Sequence, residues 1–325
     1  MILKDIEIPI KLLKLEALIR RLNKVHPKMP LIKEKYATEQ AGYRGEQSLN
    51  YYFQFLEQQD HLILRSVRLL NSYDYYFQID TLILTPYFIT IADIKNYAGT
   101  LFFDQDFHQL IRTIEDKVET FQCPILQIDR HEKQLKSLLA INKFPKIPIH
   151  SFVVISNPAS TIKTDTKHIQ KLKEKVIHAG FFPHIMERQF NTHRTEAIPL
   201  KDLKKLARFI IKQNTPLNPD ILQQFQIEKS DILTGVRCPN CQLLGMIRMN
   251  GTWHCMNCKT DNRNAHIEAL QDYALLLGQT ITNKQLRNFL HIPSTSVANK
   301  LLASLNLQYS GDKRGRIYQL PNIYD

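Results

Sequence analysis

A chain of 325 residues is long enough for two or three domains. It carries no apolar run near the roughly 18 residues of a membrane span, and its opening MILKDIEIPIKLLKLE is charged every few positions rather than apolar like a secretory leader, so a cytoplasmic protein with no membrane partner is expected. The net charge of +12, from 43 Lys and Arg against 31 Asp and Glu, favours a polyanionic partner, nucleic acid above all, although charge alone fits a basic but inert surface as well.

Residues 1–36 read as a basic, partly helical lead-in broken by HPKMP at 26–30. A helix is expected from near Glu39 through GYRGEQSLNYYFQFLEQQ, because Leu49, Tyr52, Phe53 and Leu56 recur at helical spacing. LILRSVRLL (62–70) reads as a strand. QIDTLILT and YFITIADIK read as two more, joined through Pro86, and LFFDQDFHQLIRTI (101–114) as further strand around a turn. Pro124 opens a helix, ILQIDRHEKQLKSLLAI, and IHSFVVISN (149–157) has the continuous apolar character of a buried strand. Residues 166–179 and 199–213 have amphipathic helical spacing. This order predicts one α/β domain over 37–213, followed by a proline-punctuated linker at 214–235, a cysteine module at 236–263 and a helical unit at 264–325. The positive charge is spread out: residues 161–212 hold 12 Lys and Arg against 5 Asp and Glu, the pattern of a nucleic-acid footprint rather than a localisation signal.

Chemistry in the first two-thirds concentrates in QIDTLILTPYFITIADIKNYAG, residues 78–99. Asp80 opens one apolar run and Asp93-Ile94-Lys95 closes the next, so two acids and a lysine lie at the edges of adjacent strands. Asp93 and Lys95 are two apart and share a strand face, while Ile94 points to the other. A carboxylate from each strand and the Ile94 carbonyl offer hard oxygen ligands to Mg²⁺ or Mn²⁺, and Lys95 is placed to position or deprotonate a water or to stabilise a charged phosphate. An aspartate and a lysine two apart are also what a solvated strand end looks like, and Glu46 alone reads as a surface acid favoured by a helix dipole.

Four elements together carry a resemblance: Gly45-Glu46 in a helix, Ile79-Asp80 before a strand, Asp93-Ile94-Lys95-Asn96 followed by Gly99, and Pro124-Ile125-Leu126-Gln127 opening a helix. Over about residues 37–155 the chain resembles the NERD, or nuclease-related, domain, itself similar to the PD-(D/E)XK nucleases. The resemblance implies an α/β fold with a mixed sheet flanked by helices and a Mg²⁺-dependent cut of a nucleic-acid backbone. It implies Asp80 and Asp93 as metal ligands, Lys95 as the catalytic lysine, Glu46 as an accessory acid and Gln127 as a group orienting Lys95 or a phosphate. Asp93 stands where a glutamate is usual, which shortens the arm by one carbon–carbon bond. The same fold can also serve as a non-catalytic, regulatory platform for DNA.

Cys238-Pro-Asn-Cys241 and Cys255-Met-Asn-Cys258 present two pairs of thiolates to one ion, the spacing of a structural, closed Zn²⁺ site. Redox dithiols and iron–sulfur clusters use the same residue type, but redox dithiols come singly and nothing in the chain suggests electron transfer. The stretch between the pairs, with Asn250-Gly251 as a tight turn, resembles a zinc ribbon. Arg237, Arg248, Lys259 and Arg263 are available to phosphates, and Trp253 is either a base-stacking group or the packing of a small core. Cys123 reads as a small buried filler.

In the last segment Thr282 or Asn283 caps a short helix, HIP (291–293) is a turn, and Ser294 caps a second helix, STSVANKLLASL. A hairpin closes the chain. Helix, turn, helix and basic hairpin resemble a winged helix-turn-helix, which implies Ser294, Thr295, Ser296, Asn299 and Lys300 on a recognition helix and Lys313, Arg314 and Arg316 against phosphates. The alternative is a small helical domain with a solvated charged loop, or one that binds protein. The expected activity is that of a Mg²⁺-dependent nuclease whose zinc ribbon and tail hold DNA.

Overall fold

The computed structural model describes residues 1–56, 60–312 and 315–321. The chain divides into two compact units, Met1–Pro9 with Thr38–Leu217 and Ile10–Ala37 with Asn218–Asp325. Thus β1 (Ile2–Lys4) belongs to the first unit and α1 (Ile10–Arg21) to the second, and the division falls within α2 (Met29–Ser48). The helix expected from Glu39 begins ten residues earlier, because Pro30 falls in its first turn, where a missing N–H leaves no bond unmade.

The first unit continues with α3 (Asn50–Phe53), β2 (Leu62–Leu70), β3 (Tyr76–Leu84), β4 (Ile89–Lys95), β5 (Thr100–Asp104), β6 (Gln109–Ile114), β7 (Lys117–Gln122), α4 (Pro124–Ile141), β8 (Ile149–Ile155), β9 (Thr161–Lys163), α5 (Ile169–Lys173), β10 (Val176–His178), α6 (Phe182–Thr192) and α7 (Leu200–Gln213). Its main sheet has the order β1-β2-β3-β4-β8-β10. β2, β3 and β4 are antiparallel, whereas β8 runs parallel to β4 and β10 to β8. A smaller sheet, β7-β6-β5-β9, follows from the turn after β4.

Both faces of the main sheet are buried. Leu64, Leu82, Ile91 and Val153 pack with Ile128 and Leu135 of α4 and Leu206 of α7. Ile63, Ile83, Ile94 and Val154 pack with Phe53 of α3 and Phe182 of α6. Alternate side chains of each strand thus serve opposite cores. The alternation slips once in β2. Leu62 and Leu64 face α4 before Ser66, and Val67 and Leu69 do so after it, with Ser66 itself at φ 49°. The register is unchanged across this point, Leu64 with Leu82 and Val67 with Ile79, so no residue is inserted; both strands turn together at Ser66 and Asp80.

The stretch expected as one helix over 166–179 is a short 3₁₀ turn, the five-residue α5 and then β10. Val176 and Ile177 pair with Val153 and Val154 and are buried there, a gain that short-range helical spacing cannot match. Four further elements of this unit, β1, β7, β9 and α6, lie where the sequence gives no separate signal of them.

The second unit holds α8 (Ile221–Phe225), then β11 (Val236–Arg237), β12 (Leu244–Met249), β13 (Thr252–His254) and β14 (Asp261–Asn262), which form one antiparallel sheet around the cysteines. It ends with α9 (His266–Leu276), β15 (Thr280–Thr282), α10 (Asn283–Leu290), α11 (Thr295–Ser304), β16 (Tyr309–Ser310) and β17 (Ile317–Gln319). Helix, strand, two helices and a hairpin that pairs back onto β15 is the order of a winged helix. α1 packs against α9, and Leu15, Leu18, Trp253, Tyr273 and Phe289 share one core. The fold is therefore mixed α/β, with two mixed sheets, two small antiparallel ones and flanking helices. No described helix is long and apolar enough to cross a membrane.

Candidate active site and metal centre

The registered pairing of β3 with β4 ends at Thr81–Ala92, although both strands continue. Beyond that point the Asp80 carboxylate takes over: its Oδ2 accepts the Ile94 amide at 2.9 Å. β4 stays paired with β8 through Asp93–Val153 and Lys95–Ile155, so the opening is one-sided. The result is a cleft of about 500 Å³ at the parted edge, lined by Glu46, Asp80, Asp93, Ile94, Lys95 and Gln127 among others. All five side chains singled out as catalytic from the sequence thus meet in one place.

Each is positioned by its own element. Asp93 and Lys95 point from β4 toward α4, and Lys95 Nζ donates to Gln127 Oε1 at 3.2 Å. Lys95 Nζ also lies 2.9 Å from Asp93 Oδ2, an ion pair whose angles fall short of a hydrogen bond. That carboxylate oxygen is buried and has no directional donor. Glu46 arrives on α2 because Gly45 lets the helix lie against the end of β4. A Cβ at Gly45 would stand 2.5 Å from Asn96 Cβ. Asn96 in turn donates from Nδ2 to the Ala41 carbonyl at 2.8 Å and fixes the helix to the strand. The glycine, the acid and the asparagine of the sequence pattern are therefore one packing device.

Four groups at the site went unmarked in the sequence. Arg130, His131 and Gln134 line the cleft from α4 beside Gln127. Their spacing of i, i+3, i+4 and i+7 was readable once Gln127 had been placed. His131 is buried, its Nδ1 has no partner, and burial holds its pKa below the usual histidine range. Arg65 is fully buried behind the acids. It donates from Nη2 to the Glu46 carbonyl at 2.6 Å and from Nη1 to Asn50 Oδ1, and it stacks on Phe53. Nothing in its local sequence marks it, since it sits within an apolar strand.

The electrostatics are those of acids crowded beyond their cations. Burial, and then the charge of Asp80, push the Glu46 carboxyl up to about 8. Burial and the charge of Asp93 push Asp80 up as well. Burial works against the Lys95 ammonium, but the charges of Asp93 and Asp80 outweigh it and the net shift is upward. Clustered carboxylates with an unsatisfied oxygen are a donor set that fits a hard divalent cation.

Residues 41–156 match the family model described as the nuclease-related domain, NERD. This part of the chain is a NERD domain. Neither curated proteins nor solved structures give a match to the chain. All of Glu46, Asp80, Asp93, Lys95 and Gln127 fall inside the matched span. The sheet that carries them runs beyond it, because β1 and β10 lie outside.

Outside the NERD domain, the Sγ atoms of Cys238, Cys241, Cys255 and Cys258 all lie within 4.8 Å of one another. The Cys238–Cys258 and Cys241–Cys255 separations are 3.5 and 3.6 Å. Four thiolates about 2.3 Å from a tetrahedral zinc stand about 3.8 Å apart, so the cluster fits that ion. The Thr260 hydroxyl, and then its amide, draw the Cys258 thiol down to about 5, while burial holds Cys238 up. Among the described residues this is the one group of ligating side chains gathered that closely. Asn250 and Gly251 both adopt positive φ, 47° and 83°, and close a two-residue turn between β12 and β13.

Trp253 is fully buried and donates from Nε1 to His266 Nδ1 at 3.1 Å, so it is packing and not a base-stacking surface. Arg237 is paired with Glu268, its Nη2 2.9 Å from Oε1. On α11, Thr295, Ser296, Asn299 and Lys300 are exposed; Ser294 is half-buried and caps the helix, and Asn283 Nδ2 donates to Asn299 Oδ1 at 2.8 Å. Arg316 stacks on Tyr309 at 4.0 Å. Lys313 and Arg314 lie outside the described residues.

Proposed function

We propose that the protein is a divalent-metal-dependent nuclease that hydrolyses phosphodiester bonds of DNA. The observation that carries this reading is the parted edge of β3 and β4, where Glu46, Asp80, Asp93 and Lys95 face one cleft and three acids share the one lysine. Asp80, Asp93 and the Ile94 carbonyl would hold Mg²⁺ or Mn²⁺, with Glu46 as an accessory acid. Bound there, the ion would supply neutralisation of phosphate charge and a lowered pKa for water.

The chain's own residues divide the remaining tasks. Lys95 is kept as an ammonium by Asp93 and Asp80, which suits it to donate to a phosphate oxygen or to orient the attacking water rather than to act as a base at neutral pH. Gln127 holds the lysine's amine from the α4 side. Asp80 keeps the strands parted by bonding the Ile94 amide, so it shapes the cleft as well as lining it. The four cysteines would hold structural Zn²⁺. The winged-helix-like end, with Ser294, Thr295, Ser296, Asn299, Lys300 and Arg316, and with Lys313 and Arg314 of the same segment of sequence, would hold the DNA.

Incubation of plasmid and branched DNA with Mg²⁺ or Mn²⁺ tests the reading. Cleavage by the wild type that falls by about 10²–10⁴-fold in both Asp93→Ala and Lys95→Ala is expected. Equal cleavage by all three proteins, or by none, sinks the catalytic role. A nuclease-like fold used only to dock DNA is the competing reading. It predicts DNA binding with no Mn²⁺ affinity at Asp80 and Asp93, measurable by titration of the wild type against Asp80→Ala.

A further inference from the structure

One wall of the cleft is the β2–β3 hairpin, which contributes Tyr76, Phe77 and Gln78. Its turn carries two tyrosines that are almost free of protein contact, Tyr73 at 78% exposure and Tyr75 at 72%. The turn nonetheless has a fixed shape. Asn71 Oδ1 accepts the amides of both Tyr73 and Tyr75, at 2.9 and 3.0 Å, the Tyr75 carbonyl accepts the Asn71 amide at 2.9 Å, and Asp74 takes a left-handed conformation at φ 59°. Next to it, the Arg68 guanidinium lies 3.8 Å over the Tyr76 ring and is held there by the Thr215 carbonyl at 3.0 Å.

Two large exposed rings on a preformed turn have no role in the core. Exposed tyrosines on ordered backbone, continuous through Tyr76 and Arg68 with a cleft that holds Arg130 and Lys95, have the composition of a stacking surface beside a phosphate track. A paired duplex hides the faces of its bases and offers little to such rings, whereas an unpaired strand exposes them.

We infer that this hairpin is a stacking platform for the unpaired bases of a nucleic-acid strand entering the cleft, so that the substrate is single-stranded or carries a single-stranded flap. The inference rests on the phosphodiesterase reading for the word substrate, but the platform itself is a matter of binding. Asp74, the one acid in the turn, disfavours a phosphate close to its tip and leaves the ring faces as the contact.

The test uses the full chain without added divalent cation. Binding to a single strand, and to the duplex of the same sequence, is measured for the wild type, Tyr73→Ala/Tyr75→Ala and Tyr73→Phe/Tyr75→Phe, and a strand carrying 5-iodouracil is photo-crosslinked and the attached peptide identified. The wild type should favour the single strand and crosslink within residues 71–76. The alanine pair should lose single-strand affinity by roughly ten- to a hundredfold with duplex binding little changed, and the phenylalanine pair, which keeps the rings, should stay near wild type. Equal loss for both nucleic acids, no loss, a phenylalanine pair as weak as the alanine pair, or crosslinks elsewhere only would overturn the platform; a surface made for a protein partner gives the second of these. The two readings fail separately. A wild type that crosslinks at the turn but never cleaves loses the nuclease and keeps the platform. One that cleaves without crosslinking there loses the platform alone.

Discussion

Asp272 of the second unit and Asp93 of the first are both almost fully buried, at 1% and 3% exposure, yet they are met in opposite ways. Asp272 on α9 is held by two arginines of α1. Arg20 Nη2 lies 2.6 Å from Oδ1 and Arg21 Nε 2.7 Å from Oδ2, and Arg21 spends a further donor on the Gly235 carbonyl at 2.7 Å. Asp93 shares one lysine with Asp80 and faces a third acid, Glu46, across the same cleft. The first arrangement fastens a helix, whereas the second is stable only because the surrounding sheet holds like charges together. Burial alone therefore does not mark a functional charge; crowding with like charges in a cleft is what sets Asp93 apart. The four cysteines, although in the second unit, resemble Asp93 in being potential anions gathered in one place.

The largest effect is expected where that charge is most concentrated. Structural zinc contributes on the order of 10 kcal/mol to small modules, so a chelator should unfold the ribbon. Trp253 is the chain's single tryptophan and is buried in that core, so its emission reports the event directly. A red shift on chelation, reversed by Zn²⁺ and already present before chelation in Cys255→Ser, is the expected result. Unchanged emission would mean that the cysteines hold no structural ion.

A matched pair of substitutions then tests the two aspartates against each other. Asp272→Ala leaves the buried Arg21 guanidinium without its carboxylate and Arg20 with Glu16 alone, and should cost about 3–5 kcal/mol, seen as a lower Tm. Asp80→Asn removes one of the crowded charges and should raise the metal-free Tm, by roughly 0.5–2 kcal/mol, while abolishing any cleavage. If Asp80→Asn destabilises as Asp272→Ala does, the cleft acids are structural.

pH sharpens the same contrast. Glu46 ionises ordinarily near 4.5 but only up to about 8 in the fold, so the folded chain keeps a proton that the unfolded chain has released. Its contribution to stability is intact below about pH 4.5 and is lost as pH rises toward 8. His266 has the reverse sign. Burial lowers it to about 4, the unfolded chain takes the proton first, and stability is lost as pH falls from 6.5 toward 4. His150, lowered to about 4 by burial and His193, behaves like His266 within the first unit, so the slope of the acids must be isolated by difference. The Tm of Glu46→Gln minus that of the wild type should grow from pH 5 to pH 8; a flat difference would place Glu46 outside the crowded cluster.

Much of the cleft was legible in the sequence because its residues come from short, regular elements. Asp80, Asp93 and Lys95 lie on strands whose alternation is visible, and Gln127 follows a proline that opens a helix. What the sequence could not show is long-range. Arg65 reaches Glu46 only through the pairing of β2 with β3, and β10 exists only because β8 offers it an edge. The grouping of α1 with the cysteine module and the winged-helix-like end likewise depends on Arg20, Arg21 and Asp272, some 250 residues apart in the chain. The cysteine spacing needed no such help, since each pair is fixed within one turn.

The smallest effect lies in the helix that brings Glu46 to the cleft, and it separates a glycine the site requires from one it does not. Gly42 and Gly45 are three residues apart on α2. A Cβ at Gly42 meets nothing within 4 Å, so Gly42→Ala should stabilise the helix by about 0.5–1 kcal/mol without touching activity. A Cβ at Gly45 meets Asn96 Cβ at 2.5 Å and Ser156 Oγ at 3.1 Å, at the junction of α2 with β4 and the residue after β8. Gly45→Ala must therefore push α2 off the strand ends and carry Glu46 with it. The helix former gained is the same in both variants, so the difference between their Tm values isolates the cost of the close approach. Loss of divalent-cation affinity in Gly45→Ala, with Gly42→Ala unchanged, would tie that approach to the acid cluster; equal behaviour of the two would leave Gly45 a packing residue with no bearing on the site.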